Sequence, residues 1–283
     1  MNTKSLLLGL SFCLLMLASP AMAQLELPRP SPMCEVTQKV GLGEVKIAYS
    51  RPGVKGRKIF GDLVPYNKMW RTGANAPTKI TFTDDVKVEG QALKAGTYTL
   101  ITIPGEKAWQ IIFNKDSKGR GVFSYDKSED VLRVKVASFA LKPAVESFMI
   151  YPADLKDNSA AIALAWQNTG VKFTVSTEIE EKIEAQIKEV LNPNRDARTY
   201  YQIASYYYGK GQNLEEAHKL INKSVEMEPR YWTMHLQAKV KHMLKDKKGA
   251  LAAAEKSLSM AKEAGNQDYV RLNEKLMADI KAN

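Results

Sequence analysis

The spacing of apolar residues changes once along this chain, near Thr177, and that change decides the broad architecture. Before it, apolar and polar residues alternate. Val45, Ile47 and Tyr49 are separated by Lys46 and Ala48, Ile80 and Phe82 flank Thr81, and Val86 and Val88 flank Lys87. The spacing recurs at Trp109, Ile111 and Phe113, at Leu132, Val134 and Val136, and at Phe148 and Ile150. It returns at Ile162, Leu164 and Trp166, then at Val171, Phe173 and Val175. A period of two turns one face of a strand to a core and the other to water. Turn chemistry punctuates the runs at Asp84-Asp85, Glu89-Gly90, Pro104-Gly105, Lys118-Gly119-Arg120-Gly121 and Asn168-Thr169-Gly170. Roughly eight to ten short strands joined this way predict an antiparallel β-sandwich over residues 36–176.

After Thr177 the period is helical. Ile179, Ile183, Ile187 and Leu191 form one stripe, Thr177 and Glu180 fit a capping box, and Asn192-Pro193 is a stop signal. The segment Ala217 to Ser224 is echoed by Ala250 to Ser257, 33 residues later. That offset is close to the period of tetratricopeptide helix pairs. Tyr201, Ala204, Ser205 and Tyr208 match the first helix of such a pair, Ala217, Ile221 and Ser224 match the second, and Pro229 closes the unit. Tyr269 to Ile280 reads as a capping helix. Residues 177–283 thus resemble a tetratricopeptide-like helical repeat, and the chain reads as β plus α in two domains. With Tyr201 and Tyr208 in the repeat core, Tyr200 and Tyr207 are left to face outward and line a groove for a protein partner.

Residues 1–23 form a secretory signal: Lys4, an apolar core from Leu6 to Leu17, and Ala21-Met22-Ala23 before Gln24. Export to the periplasm or cell exterior follows, with cleavage after Ala23. No later stretch is apolar enough to span a bilayer. Residues 24–35 form a Pro-rich lead-in. Of the two cysteines, Cys13 leaves with the signal, so Cys34 has no internal disulfide partner and reads as a small packed residue. The fold must hold by its core, for which 45% hydrophobic composition is ample. The net charge of +10 is scattered, and an exported chain rarely meets nucleic acid, so solubility or an anionic glycan partner explains it better.

The segment from Tyr49 to Thr81 separates two strand patterns and is the candidate binding surface. A structureless connection of this length is usually functional or disordered. Ile59, Phe60, Leu63 and Trp70 argue for order. Arg51, Arg57, Lys58 and Arg71 offer charges suited to carboxylate or sulfate groups. Tyr66 and Trp70 offer flat faces, and Asn75 offers an amide. Two readings stand: these residues hold a glycan or anionic ligand, or Trp70 and Tyr66 plug the sandwich while the arginines tie loop carbonyls. The strings SRPGVKGRKIFGDLVPYNKMWRTGAN and TKITFTDDVKVEGQALKAGTYTLITIPGEKAWQIIFNK resemble the bacterial envelope family called domain of unknown function 2911, from about Pro28 to about Thr177. The resemblance implies a fold and no chemistry. Relatives often carry Glu where this chain has Ala76, so any role of that carboxylate is lost here.

Absences limit the chemistry. His218, His235 and His242 all lie in the helical half. A Ser-His-Asp or Cys-His arrangement, or a His-based zinc site, confined to the β half is therefore excluded. His235 and His242 are not at the spacing of four that two helical ligands need, and they read as surface or groove residues. Gly41-Leu42-Gly43 precedes a strand, which excludes a dinucleotide fingerprint. Neither cofactor nor metal is expected, and no catalytic residue is assigned. Asp62, Asp84, Asp85, Glu106 and Asp126 keep open a carboxylate-dependent enzyme acting on glycans. A purely structural envelope protein is the other alternative to a non-catalytic binding protein. The leader gives a first prediction: mass spectrometry of the exported protein should find Gln24 as the N-terminal residue. A retained Met1 or a lipidated cysteine would reject it.

Overall fold

The structure, a computed structural model, describes residues 27–116, 118–119, 121–191 and 195–282. The expected leader, its cleavage site, the start of the lead-in, Arg120 of one expected turn and the Asn192-Pro193 stop lie outside these residues. The chain divides into two compact units, one running to Ile179 and the other beginning at Glu180.

The described residues of the first unit form nine strands: β1 (Met33–Val40), β2 (Gly43–Ser50), β3 (Lys79–Phe82), β4 (Val86–Val88), β5 (Gln91–Leu93), β6 (Gly96–Ile103), β7 (Ala108–Asn114), β8 (Asp130–Lys156) and β9 (Ser159–Ser176). They are hydrogen-bonded in the order β1-β2-β3-β6-β7-β8-β9-β4-β5, every pair antiparallel. Strand β8 serves both layers. Its first part pairs with β7, setting Leu132 opposite Phe113, and from Ser138 onward it pairs with β9, setting Ile150 opposite Leu164. The layers meet over one core. Phe113 of β7 packs edge-on against Phe173 of β9 at 5.7 Å, and Tyr49 of β2 against Phe148 of β8 at 5.8 Å. The Tyr49 hydroxyl donates to the Ile150 carbonyl at 3.1 Å and accepts the Ile150 amide at 2.9 Å, stitching the layers with a buried polar group.

Four details here differ from the sequence reading. The expected strands around Val134 and Ile150 are one strand, and Asn168-Thr169-Gly170 does not turn but lies within β9. The corner is taken by register shifts between Ala140 and Val145 and between Val145 and Met149, which bend paired strands without a reversal. Strand β1 begins at Met33, inside the expected lead-in. Thr177 does not cap a helix: its hydroxyl donates to the Asn158 carbonyl at 3.3 Å, and the first helix opens at Glu180. Gly41, at φ +62°, turns β1 into β2 directly beneath Thr177, where a side chain would collide with the hydroxyl.

The second unit contains α1 (Glu180–Val190), α2 (Ala197–Lys210), α3 (Leu214–Met227), α4 (Tyr231–Met243), α5 (Lys247–Glu263) and α6 (Gln267–Ala282). Asp196 caps α2 by accepting the Thr199 amide, and Asp246 caps α5 by accepting the Gly249 amide. The sequence echo has a physical counterpart. Ser224 near the end of α3 donates to the Ala197 carbonyl at 2.7 Å, and Ser257 on α5 donates to the Tyr231 carbonyl at 2.6 Å. Each serine ties the C-terminal half of one helix to the start of the helix before it. Ala204, Ala217, Ala238 and Ala250 are fully buried at these contacts, where a larger side chain would push the helices apart.

The outward placement of Tyr200 and Tyr207 is corrected. They are 1% and 6% exposed within the helical core, whereas Tyr201 and Tyr208 are half-buried. The inward stripe of α2 is Tyr200, Ile203, Ala204 and Tyr207, one residue out of phase with the positions matched by resemblance. Burial and the hydroxyl's bond to Glu184 push the Tyr207 phenol up to about 12. His235 is half-buried rather than open to solvent. Its Nδ1 meets Asn273 Oδ1 at 2.8 Å, and the wholly buried Asn273 donates onward to Ser257 and to the Tyr269 carbonyl.

Burial holds His235 below the ordinary imidazole value, opposed by the Asn273 bond and assisted by Lys239. A depressed basic group favours the folded state above its unfolded value of about 6.5, and that stability is lost as pH falls through the folded value. Thermal unfolding of the helices, followed by circular dichroism, should therefore occur at lower temperature at about pH 5 than at about pH 7.5. His235→Gln should shrink that difference. An unchanged acid loss in the variant would assign it to another group.

Candidate functional site

The segment 51–78 contains no helix or extended ladder, so isolated pairings and side chains hold it. At one end the Phe148 amide donates to the Pro52 carbonyl at 2.9 Å and the Val54 amide to the Glu146 carbonyl at 2.8 Å, tying it to β8. Further on, Trp70 and Thr102 exchange both backbone bonds, at 2.7 and 3.0 Å, tying it to β6. Between these anchors the chain lies across the sandwich and drops its aromatic residues into the core. Trp70 stacks on Trp166 at 5.7 Å and 16°, and contacts Phe148 at 5.0 Å, Phe60 at 6.1 Å and Trp109 at 6.1 Å. Its indole donates to the Gly73 carbonyl at 3.2 Å. Tyr66 packs half-buried against the same cluster. Trp109 is 1% exposed, and its Nε1 has no hydrogen-bond partner among the described residues, a cost of about 1–3 kcal/mol that dense aromatic packing must offset.

The charged candidates reach backbone carbonyls. Arg51 Nε donates to Phe148 at 3.0 Å. Arg57 donates to Val54 at 3.0 Å and to Gly53 at 2.6 Å. Arg71 donates to Asn75 at 3.0 Å, its guanidinium 4.7 Å from the centre of the exposed Phe123 ring. Asn75, in the left-handed region at φ +56°, donates to the Ser31 carbonyl at 2.9 Å and to Ser50 Oγ at 3.4 Å. Two bonded groups result. Arg51, Arg71 and Asn75 surround the end of the lead-in, where Pro32 accepts the Arg51 amide. Arg57 and the exposed Lys58 lie beside Gln167, which accepts the Ile59 amide and donates to the Arg57 carbonyl. Ala76 is exposed.

The acidic candidates occupy turns. Asp85 accepts Lys94 at 2.7 Å and the Ala95 amide at 2.9 Å. Asp84 accepts from Thr83 at 3.2 Å. Asp126 accepts the Ser128 amide at 2.8 Å, and that bond holds its carboxyl below the usual range, the opposite of what a general acid needs. Asp62 and Glu106 are exposed, and among the described residues Asp62 forms no ion pair.

The helical unit holds a feature that sequence reasoning missed. A cavity of about 400 Å³ opens where α2 and α4 begin and α3 ends, lined by Arg198, Tyr201, Gln202, Glu228, Arg230 and Trp232 among others. This lies within the range of about 300–1,000 Å³ typical of ligand pockets. Arg230 donates to Glu228 at 2.9 and 2.5 Å and lies 5.8 Å from the Trp232 ring centre. From Trp232 an aromatic seam continues to Tyr231 at 4.7 Å and to Tyr269 at 4.8 Å. The available signal was Arg230-Tyr231-Trp232, an arginine where a capping residue belongs, followed by two large aromatics at a helix start.

These placements separate neighbouring residues on the loop. Trp70→Ala should lower stability by about 3–5 kcal/mol, as core aromatic truncations do. Arg71→Ala should cost about 1 kcal/mol or less, because it loses one carbonyl bond and one contact to an exposed ring. Urea denaturation of both variants checks this, and equal losses would mean that Arg71 carries a buried load.

No curated protein and no solved structure matches the chain. Residues 31–175 match the family described as protein of unknown function, DUF2911. That span covers the strands almost entirely and stops short of the helices. The chain therefore belongs to the DUF2911 family through its β unit.

Proposed function

We propose that this is an exported, non-catalytic binding protein in which the β unit is a rigid platform and the helical unit docks a segment of another protein. The observation that carries the reading is the aromatic and charged cavity at the start of α2 and α4. Long segment 51–78 supports it from the other side. Arg51, Arg57 and Arg71 bond loop carbonyls, and Trp70 and Tyr66 pack inward, which favours a closing role for that stretch over a glycan site. Among the described residues no helix is long and apolar enough to cross a membrane.

The test is selection from a library of extended peptides on the whole mature chain, read by hydrogen exchange. Selected peptides should slow exchange in residues 197–202 and 228–233, and Tyr201→Ala or Trp232→Ala should abolish the effect. Peptides that protect only the β unit, or a library that yields none, would overturn the assignment of docking to the helices.

A further inference from the structure

We infer that the cavity at the start of α2 and α4 receives an acidic, extended segment, with Arg198 and Arg230 meeting its carboxylates and Tyr201 and Trp232 its apolar side chains. This rests on the reading of the helical unit as a docking module.

Charge complementarity selects the occupant. Two guanidiniums and one carboxylate line the cavity, and that carboxylate, Glu228, is already paired with Arg230. The guanidinium carries five donors in a planar fork, so Arg230 keeps donors beyond the two engaged on Glu228 while being held in position by that pair and by the Trp232 face. Arg198 is exposed, and the nearby Asp196 carboxylate, which accepts the Thr199 amide at 2.7 Å and shares its attraction between Arg195 and Arg198, is not among the cavity-lining residues. A basic segment would set its cations against both arginines with no free carboxylate lining residue to receive them. A small inorganic anion would leave the Tyr201 and Trp232 faces unused in a space of about 400 Å³. A single-stranded nucleic acid could also use those faces, and an oligothymidine control separates it from a peptide. An extended peptide matches both features, because its side chains alternate in direction and can send carboxylates to the arginines and apolar groups to the aromatic walls.

The decisive probe is a fluorescein-labelled peptide of about twelve residues alternating Glu with Leu and Tyr, titrated with the full mature chain and read by anisotropy. The control peptide carries Gln for every Glu, and a second control is an oligothymidine of similar length. The acidic peptide should bind at least about tenfold tighter than the Gln peptide, a difference of about 1.4 kcal/mol. The advantage should fade as salt rises from about 0.05 to about 0.5 M, since exposed charges are screened. Arg198→Glu should weaken acidic binding at least about tenfold, Arg198→Lys should retain most of it, and Lys256→Glu, on an exposed part of α5, should leave it unchanged. Equal binding of the acidic and Gln peptides, tighter binding of the oligonucleotide, or indifference to Arg198→Glu would each overturn the inference. Should Arg198→Glu fail to fold, the salt dependence and the Gln comparison on the unaltered chain decide alone. Library peptides that bind the helices without acidic residues would reject the acidic class and leave the docking reading intact.

Discussion

The stack of Trp70 on Trp166 holds together a stretch that secondary structure does not. Ordering each residue of segment 51–78 costs roughly 1–2 kcal/mol of backbone entropy, and no ladder or helix recovers it. Recovery comes from burial. Ile59, Phe60 and Val64 are at most 5% exposed, and Trp70 reaches three other aromatic rings besides Trp166. Such pairs contribute about 0.5–1.5 kcal/mol each beyond their area. The arginines then donate to main-chain carbonyls of the loop and of β8. Arg51, Arg57 and Arg71 thus commit donors to the main chain, which favours reading this stretch as a closure over a ligand site.

Where one face of a strand meets water, alternation exposed it in the sequence, as at Val45-Lys46-Ile47 or Leu132 to Val136. Strand β6 was poorly marked for the converse reason. Tyr98 through Thr102 are all buried, so no polar face breaks the run. The merging of strands into β8 and β9 was hidden because Asn168-Thr169-Gly170 carries turn chemistry. The residues are used instead where Gly170 lies under the Phe139 ring at the corner between layers. In the helices the apolar pattern was clear but its phase was not. Tyr200-Tyr201 and Tyr206-Tyr207-Tyr208 offer an aromatic at adjacent positions, so either of two stripes could turn inward. Packing against Ile187 and Leu236 decided for Tyr200 and Tyr207.

The candidate site was less legible than the fold. Its residues come from three helices and converge only through the helix hairpins, which the serine bonds at Ser224 and Ser257 fix. No local motif joins Arg198 to Trp232. The family match ends at residue 175, so the site also lies outside the part of the chain that resemblance describes.

One local anomaly did point to it. A helix start favours a side chain that accepts from its first amides, and arginine has no acceptor. At α4 the half of the cap that forms is made by Thr233, whose hydroxyl accepts the Arg230 amide at 3.0 Å and donates to the Arg230 carbonyl at 2.9 Å. Thr233 thereby satisfies backbone groups next to the guanidinium while leaving that side chain to Glu228 and Trp232. A residue that breaks a local rule, with a neighbour arranged to offset the cost, marks a position where local preference is overridden. In the long loop the arginines serve the backbone; at α4 the backbone is served by Thr233, and the guanidinium keeps donors that neither Glu228 nor Trp232 takes up.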